Sequence, residues 1–285
     1  MKKTYKKFNI LATLIVFVSG ILFFCIWQNN NIVITESTYY NSKIPSDFNE
    51  FTIAHISDFH NKLLGKEQVT ILNKIKSISP DIIVITGDLI DRRKYDLETA
   101  MTFIKGAMQI APIYYVSGNH EAWSGKFDVI KDELIGAGVH ILDNTEVKLS
   151  KGNSTISILG VADPDFHTSD YMEGTDVSEI TKQLSGWSAN ENFKILLSHR
   201  PELFDLYCKN NMDLIFTGHA HGGQFRIPGI GGLVAPDQGL FPKYTSGSYS
   251  KEASTMFVSR GIGNSVMPIR IFNRPEIVAV TLRTK

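Results

Sequence analysis

The 285-residue sequence predicts an α/β layered domain behind one membrane-spanning helix, and three observations carry that expectation. A nearly unbroken apolar stretch stands close to the N-terminus. Beyond it, short apolar runs recur, each ending in a cluster of Asp, His, Gly or Asn, and segments of helical period separate the runs. Composition agrees, since 43% hydrophobic and 20% charged residues supply a core and exclude a disordered, collagen-like or coiled-coil chain. Lys plus Arg and Asp plus Glu both number 29, so no overall field draws the chain to nucleic acid, and no nucleic-acid partner is expected. Cys25 and Cys208 are the only cysteines, which excludes a disulfide framework and a thiolate zinc site.

The first element is Phe8 to Trp27, in which only Asn9, Thr13 and Ser19 are polar. As a helix it has about the length that crosses a hydrocarbon core of roughly 30 Å. It reads as an uncleaved anchor rather than a removed secretory signal, because Cys25 to Asn29 offer no small-x-small cleavage site. Phe23 and Phe24 before Cys25 likewise fail a lipid-attachment site, leaving Cys25 as lipid-facing packing. Lys2, Lys3, Lys6 and Lys7 precede the run and the next basic residue is Lys43, so the positive-inside bias places residues 1–31 as a cytoplasmic tip and anchor and residues 32–285 as one extracytoplasmic domain.

Ile32 to Tyr40, β-branched and aromatic, opens that domain as a strand, followed by a Pro-containing loop to Glu50. Further strands are expected at Phe51 to Ile56, Ile82 to Thr86, Ile113 to Val116, Ile156 to Val161, Ile195 to Ser198 and Leu214 to Thr217. Helices are expected at Leu64 to Ile78, Leu97 to Met108, Phe127 to Ile135, Val177 to Leu184 and Glu202 to Tyr207, the last started by Pro201. Gly and Pro crowd residues 222–247, and strand-like runs close the chain at Thr255 to Ser259 and Ile277 to Leu282.

Five polar clusters fall at the ends of apolar runs, the edge where open α/β sheets bind ligands. Asp58 and His60 follow the first, with alternate side chains able to converge on one ion. Gly87-Asp88-Leu89-Ile90-Asp91 follows the second and Gly118-Asn119-His120-Glu121 the third, and Ser198-His199-Arg200-Pro201 and Gly218-His219-Ala220-His221 complete the set. Imidazole with carboxylate and amide oxygen, and no thiolate, suits Mn, Fe, Zn, Co or Ni better than Ca, and the donors suffice for two ions.

In order and spacing these blocks resemble the calcineurin-like metallophosphoesterases, whose signature is Asp-x-His, Gly-Asp-x-x-Asp, Gly-Asn-His-Asp/Glu, a lone His and Gly-His-x-His. The resemblance spans roughly residues 50–222. The closing segment Ser259-Arg260-Gly261-Ile262-Gly263, with Pro268 and Arg270, is similar to the membrane-anchored bacterial branch, which includes proteins like UDP-2,3-diacylglucosamine hydrolases. The resemblance implies a four-layer α/β/β/α sandwich and hydrolysis of a phosphomonoester, phosphodiester or pyrophosphate. It implies one divalent ion on Asp58, His60, Asp88 and His221 and a second on Asp88, Asn119, His199 and His219, with a hydroxide between them as nucleophile. His120 is then left to protonate the departing oxygen or to stabilise its charge. Asp91 fits two roles, the carboxylate that orients His120 in such proteins and a helix cap after Ile90. Glu121 is expected to support the ligands from behind.

Arg92, Arg93, Arg200 and Arg260 could each meet a phosphate, but a solvated surface role is the expectation for all four. His55 reads as a packed neighbour, and His140 and His167 lack a partner pattern. The Phe225 to Tyr244 loop is unusually apolar, fitting either a packed cover over the sheet edge or a segment turned toward lipid. The expected substrate is a phosphorylated compound, lipid-linked or of the cell envelope, with the bilayer as the other partner. A metal-binding surface module without catalysis is the rival reading.

Overall fold

A computed structural model describes residues 2–169, 174–264 and 269–285, with side chains from residue 9, so the expected Pro268 lies outside the described residues. The long helix α1 spans Lys2–Asn30. One six-stranded sheet contains β1 (Val33–Tyr40), β2 (Thr52–Ile56), β3 (Ile82–Thr86), β4 (Ile113–Val116), β5 (His140–Ile141) and the last strand, β16 (Glu276–Arg283). Its order is β1-β16-β2-β3-β4-β5, and every neighbouring pair is parallel except β16 with β2. The second sheet contains β6 (Thr145–Lys151), β7 (Ser154–Gly160), β8 (Lys194–Leu197), β9 (Leu214–Thr217), β14 (Gly247–Lys251) and β15 (Ser254–Val258) in the order β14-β15-β9-β8-β7-β6. Four parallel strands fill its middle, and antiparallel β14 and β6 close its edges. Along the chain the main strands alternate with α2 (Val69–Ile78), α3 (Leu97–Met108), α4 (Asn119–Ser124), α5 (Phe127–Gly136), α6 (Ser178–Trp187) and α7 (Phe204–Lys209). Two minimal hairpins, β10 (Arg226–Ile227) with β11 (Gly231–Gly232) and β12 (Val234–Ala235) with β13 (Gly239–Leu240), occupy the apolar loop.

Alternation along the strands produces three apolar layers. Ala54, Ile56, Ile83 and Ile85 pack against Ile71, Ile75, Phe103, Ile104 and Leu134 of α2, α3 and α5. The residues between them, Ile53, Val84, Val278 and Val280, face Ile156, Ile195, Leu197, Leu214 and Phe216 of the other sheet. On the far side Leu196, Ile215 and Met256 meet Ile180, Leu184, Phe204 and Tyr207 of α6 and α7. The order helix, sheet, sheet, helix is the four-layer sandwich that was expected. It also explains why the central strands read as continuous apolar runs: both faces are buried, each such side chain contributing about 1.5–3 kcal/mol.

Two helix starts differ from expectation by two residues or more, and α6 runs on to Trp187, three residues past the expected Leu184. α2 begins at Val69 rather than Leu64, because Gly65, Glu67 and Gln68 adopt left-handed φ that no α-helix contains. The segment after Pro201 makes a single tight turn before α7 begins at Phe204.

Candidate metal centre

The parallel strands of both sheets deliver their C-terminal ends to one edge, and the turns leaving those ends are strained. Asp58, His60, Asp88, His219 and His221 all have φ between 46° and 63°, a region costly for residues with a Cβ. The turns hold each other there. Asp58 N–H donates to the Gly87 carbonyl at 3.1 Å and His60 N–H to the Asp88 carbonyl at 3.0 Å. Gly218 N–H donates to the His199 carbonyl at 3.1 Å, and Ile262 N–H to Ser57 at 3.1 Å. Gly118 shows why glycine is required: a Cβ there would lie 2.4 Å from Asp88 Oδ1 and 2.6 Å from Asp88 N. Behind these turns, as expected, Glu121 accepts the N–H groups of Asp88 and Gly118, both at 2.8 Å, and that of Ile90 at 3.1 Å, joining two motif turns through one carboxylate. Burial, and then Asp88, push its pKa up to about 8.

The structure gathers all seven candidate ligands into two buried groups that share Asp88. In the first, His221 Nε2 lies 3.2 Å from Asp58 Oδ1 and 3.2 Å from His60 Nε2, and His60 Nε2 lies 3.5 Å from Asp88 Oδ2. In the second, His199 Nε2 lies 3.4 Å from Asp88 Oδ2, 3.1 Å from Asn119 Oδ1 and 3.1 Å from His219 Nδ1. Asp88 is oriented for sharing: Oδ1 accepts the His120 N–H at 2.8 Å, leaving Oδ2 between His60 and His199.

This donor set fits cations. The Thr86 carbonyl, 2.7 Å from His199 Nδ1, can only accept, so the ring hydrogen sits on Nδ1 and Nε2 presents a lone pair. That lone pair faces Asp88, Asn119 and His219, an assembly of electron-rich atoms that only positive charge reconciles. Burial opposes charge on His199, yet Asp88 raises its pKa to about 10, drawing a proton to where a cation would sit. Burial keeps His60 down to about 3 and His219 to about 4, and His221 well below the usual range, so these imidazoles are neutral donors. Asp88, despite its burial, is held well below the carboxylate range by His199, His120 and His60. Desolvation raises Asp58 to about 6.

His120 packs edge-on to His60 with ring centroids 4.5 Å apart. Its Nδ1 accepts the Arg92 N–H at 3.2 Å, which leaves the hydrogen of the neutral ring on Nε2. Asp91 Oδ1 is 3.5 Å from that Nδ1, but its carboxylate caps the following turn through Arg93 N–H at 2.9 Å and forks onto the Arg93 guanidinium at 2.9 and 2.8 Å. Of the two roles open for Asp91, the cap is the one its hydrogen bonds make. Arg92 is exposed and lies over the Trp123 ring at 4.6 Å. His55 is buried between the sheets with Nε2 2.8 Å from Thr86 Oγ1, while His140 and His167 are exposed.

Arg200 corrects the sequence reading. It is 1% exposed rather than solvated, gripped by Asp163 at 2.7 and 2.8 Å, by Asp165 at 2.7 Å and by Asp237 at 2.5 Å. Asp237 Oδ2 also lies 2.8 Å from His219 Nε2. A carboxylate that close requires a hydrogen on Nε2, which commits Nδ1 of His219 to the metal side. Asp237 was missed because it belongs to the apolar loop, yet it is the sole carboxylate in residues 225–244, and that isolation was the available signal.

The calcineurin-like phosphoesterase family profile matches residues 51–223. The uncharacterized metallophosphoesterase YkuE of Bacillus subtilis (strain 168) is 31% identical over 256 residues, covering 88% of this chain and 85% of its own. An uncharacterized metallophosphoesterase of Aquifex aeolicus (strain VF5) is 28% identical, covering 87% of this chain and 90% of its own. A Danio rerio protein named as a transmembrane protein with metallophosphoesterase domain is 27% identical over 85% of this chain, which spans 55% of that relative.

Proposed function

Because the chain belongs to the calcineurin-like phosphoesterase family, we propose that it is a membrane-anchored hydrolase of phosphoric esters that works with two divalent ions. The observation that carries this reading is Asp88, whose Oδ2 stands 3.5 Å from one imidazole and 3.4 Å from another in two different donor groups. Asp58, His60, Asp88 and His221 would hold one ion, and Asp88, Asn119, His199 and His219 the other. The neutral nitrogens and hard oxygens suit Mn, Fe, Zn, Co or Ni. Bound ions would supply charge for the phosphoryl oxygens and lower the pKa of water.

The chain's own groups do the rest. Water attacks phosphorus, the ester P–O bond breaks, and the leaving oxygen must receive a hydrogen. His120 Nε2 carries one, because Arg92 N–H occupies Nδ1. Burial lowers the His120 pKa, so at neutral pH the ring offers a hydrogen bond from a neutral imidazole rather than standing as a cation. Glu121 and the interlocked turns keep Asp88 aimed without reorganisation.

Anchoring is supported by Asn9–Asn30, long and apolar enough to cross a membrane, and by relatives named as transmembrane proteins. The lysines before it support an extracytoplasmic domain, an orientation that argues against a UDP-linked lipid precursor as substrate. The test is Asp88→Asn. Metal content should fall by more than one ion per chain, and hydrolysis of bis(p-nitrophenyl) phosphate, abolished by chelation and restored by Mn in the native protein, should drop at least 100-fold. Unchanged turnover refutes the assignment.

A further inference from the structure

The membrane helix enters the domain at the same edge as the metal cluster. Strand β1 runs parallel to β16 and β16 antiparallel to β2, so β1 starts where β2 ends. The register makes this quantitative. Val33 pairs with Glu276, and Val278 pairs with His55, so Val33 stands level with Ser57, beside the candidate ligand Asp58. Only β16 lies between, which puts the start of β1 about 10 Å across the sheet from that ligand turn.

Side chains close this gap. Lys62 Nζ, two residues after His60, donates to the Asn29 carbonyl at 2.5 Å. Arg274 donates to the Asn31 carbonyl at 3.0 Å and lies over the Trp27 ring at 4.9 Å. Between these, Phe272 meets Phe24 edge-on at 5.6 Å, and the next residue, Asn273, donates to the carbonyl of His221 at 2.7 Å. Phe24 lies three residues inside the Trp27 end of the apolar run, roughly 4.5 Å deeper at helical rise. With α1 in a bilayer, Phe272, 53% exposed, would therefore sit at the margin of the hydrocarbon, with Lys62 and Arg274 at headgroup level. Leu63 at 69%, Ile230 at 66% and Phe241 at 67% exposure add apolar surface to the turns around the site. Headgroup layers are about 5–8 Å thick, so an α1 inserted up to Trp27 would bring lipid phosphate toward the His60 and His221 side of the cluster.

We propose that this edge docks onto the bilayer and that the substrate is a phosphoester of a membrane lipid, taken from the headgroup layer of the leaflet that holds the end of α1. The substrate class rests on the hydrolase reading above. Docking rests on β1 register and the helix contacts alone.

Two measurements on the full-length protein in phosphatidylcholine–phosphatidylglycerol vesicles separate these. In a Cys25→Ser, Cys208→Ser background, an NBD fluorophore is attached at Leu63→Cys, Phe272→Cys or Tyr40→Cys. Tyr40 is exposed at the far end of β1, about 23 Å along the strand. Lipids carrying a shallow nitroxide on the acyl chain should quench the labels at 63 and 272 at least twofold more than the label at 40. Equal quenching at all three positions overturns the docking. Turnover of hexadecyl p-nitrophenyl phosphate in the vesicles is then compared with that of methyl p-nitrophenyl phosphate in solution, which has the same leaving group. A kcat/KM ratio of at least 100 favouring the anchored ester is expected, and a ratio near one overturns the substrate class. Failure to hydrolyse both of these esters and p-nitrophenyl phosphate as well overturns the hydrolase reading, while the quenching result still decides the docking.

Discussion

Asp237→Asn isolates the task of a residue that touches no ion in the proposed arrangement. The substitution keeps the shape of the side chain and removes the charge that takes the His219 Nε2 hydrogen at 2.8 Å. Arg200 keeps Asp163 and Asp165, so its burial stays compensated. A charge-assisted hydrogen bond is worth about 1.5–3 kcal/mol, but the Asp237 side chain is 43% exposed, and solvent screening reduces this to about 1–1.5 kcal/mol. At about 1.4 kcal/mol per factor of ten, the ion held by Asp88, Asn119, His199 and His219 should bind roughly tenfold more weakly. Carboxylates that orient metal-binding histidines commonly have effects of that size. The assay is hydrolysis of bis(p-nitrophenyl) phosphate against free Mn set by a metal buffer. The half-saturating concentration should rise about tenfold while the rate at saturating metal stays within about threefold of native. An unmoved midpoint, with native circular dichroism, would refute the claim that Asp237 fixes the His219 tautomer.

Two further outcomes follow from other parts of the structure. Gly118→Ala places a methyl 2.4 Å from Asp88 Oδ1, so overpacking should cost about 1–3 kcal/mol in urea unfolding and lower turnover at least tenfold; native-like values of both would show that the turns are free to shift. Asp143 is raised from 3.8 to about 6 by burial, so the folded chain holds this proton after the unfolded chain has released it. The stability tied to the protonated carboxyl is complete below pH 3.8 and is lost as pH rises through about 6. Asp143→Asn should therefore stabilise the domain by about 3 kcal/mol at pH 7.5 and by almost nothing at pH 3.5, read from urea midpoints at the two values.

Strands buried on both faces announced themselves locally, which is why β2, β3, β4, β8 and β9 were legible to within a residue or so. The polar edge strand β6, Thr145–Lys151, was not, because most of it faces water and its pairing with β7 supplies the order that composition does not. The seven candidate ligands were legible because each follows a strand end within a few residues. Arg200 was misread since the acids that hold it, Asp163, Asp165 and Asp237, come from segments far from it in sequence, and local pattern carries no information about which turns will meet. The entry of α1 at the metal edge was equally hidden, being a consequence of strand register.

The pairing of β1 with β16 also orders events during synthesis. β1 leaves the ribosome directly after α1, but its partner follows some 240 residues later. At about 5–20 residues per second the chain waits on the order of 10–50 s with β1 unpaired. Until β16 emerges the sheet lacks the strand that separates β1 from β2, and Glu276, which receives the Arg260 guanidinium at 2.8 Å, has not arrived to steady the loop lying against Asp58. A chain without β16 would thus carry all seven candidate ligands but lack the strand that fixes their edge, so that the site is finished only once β16 is in place.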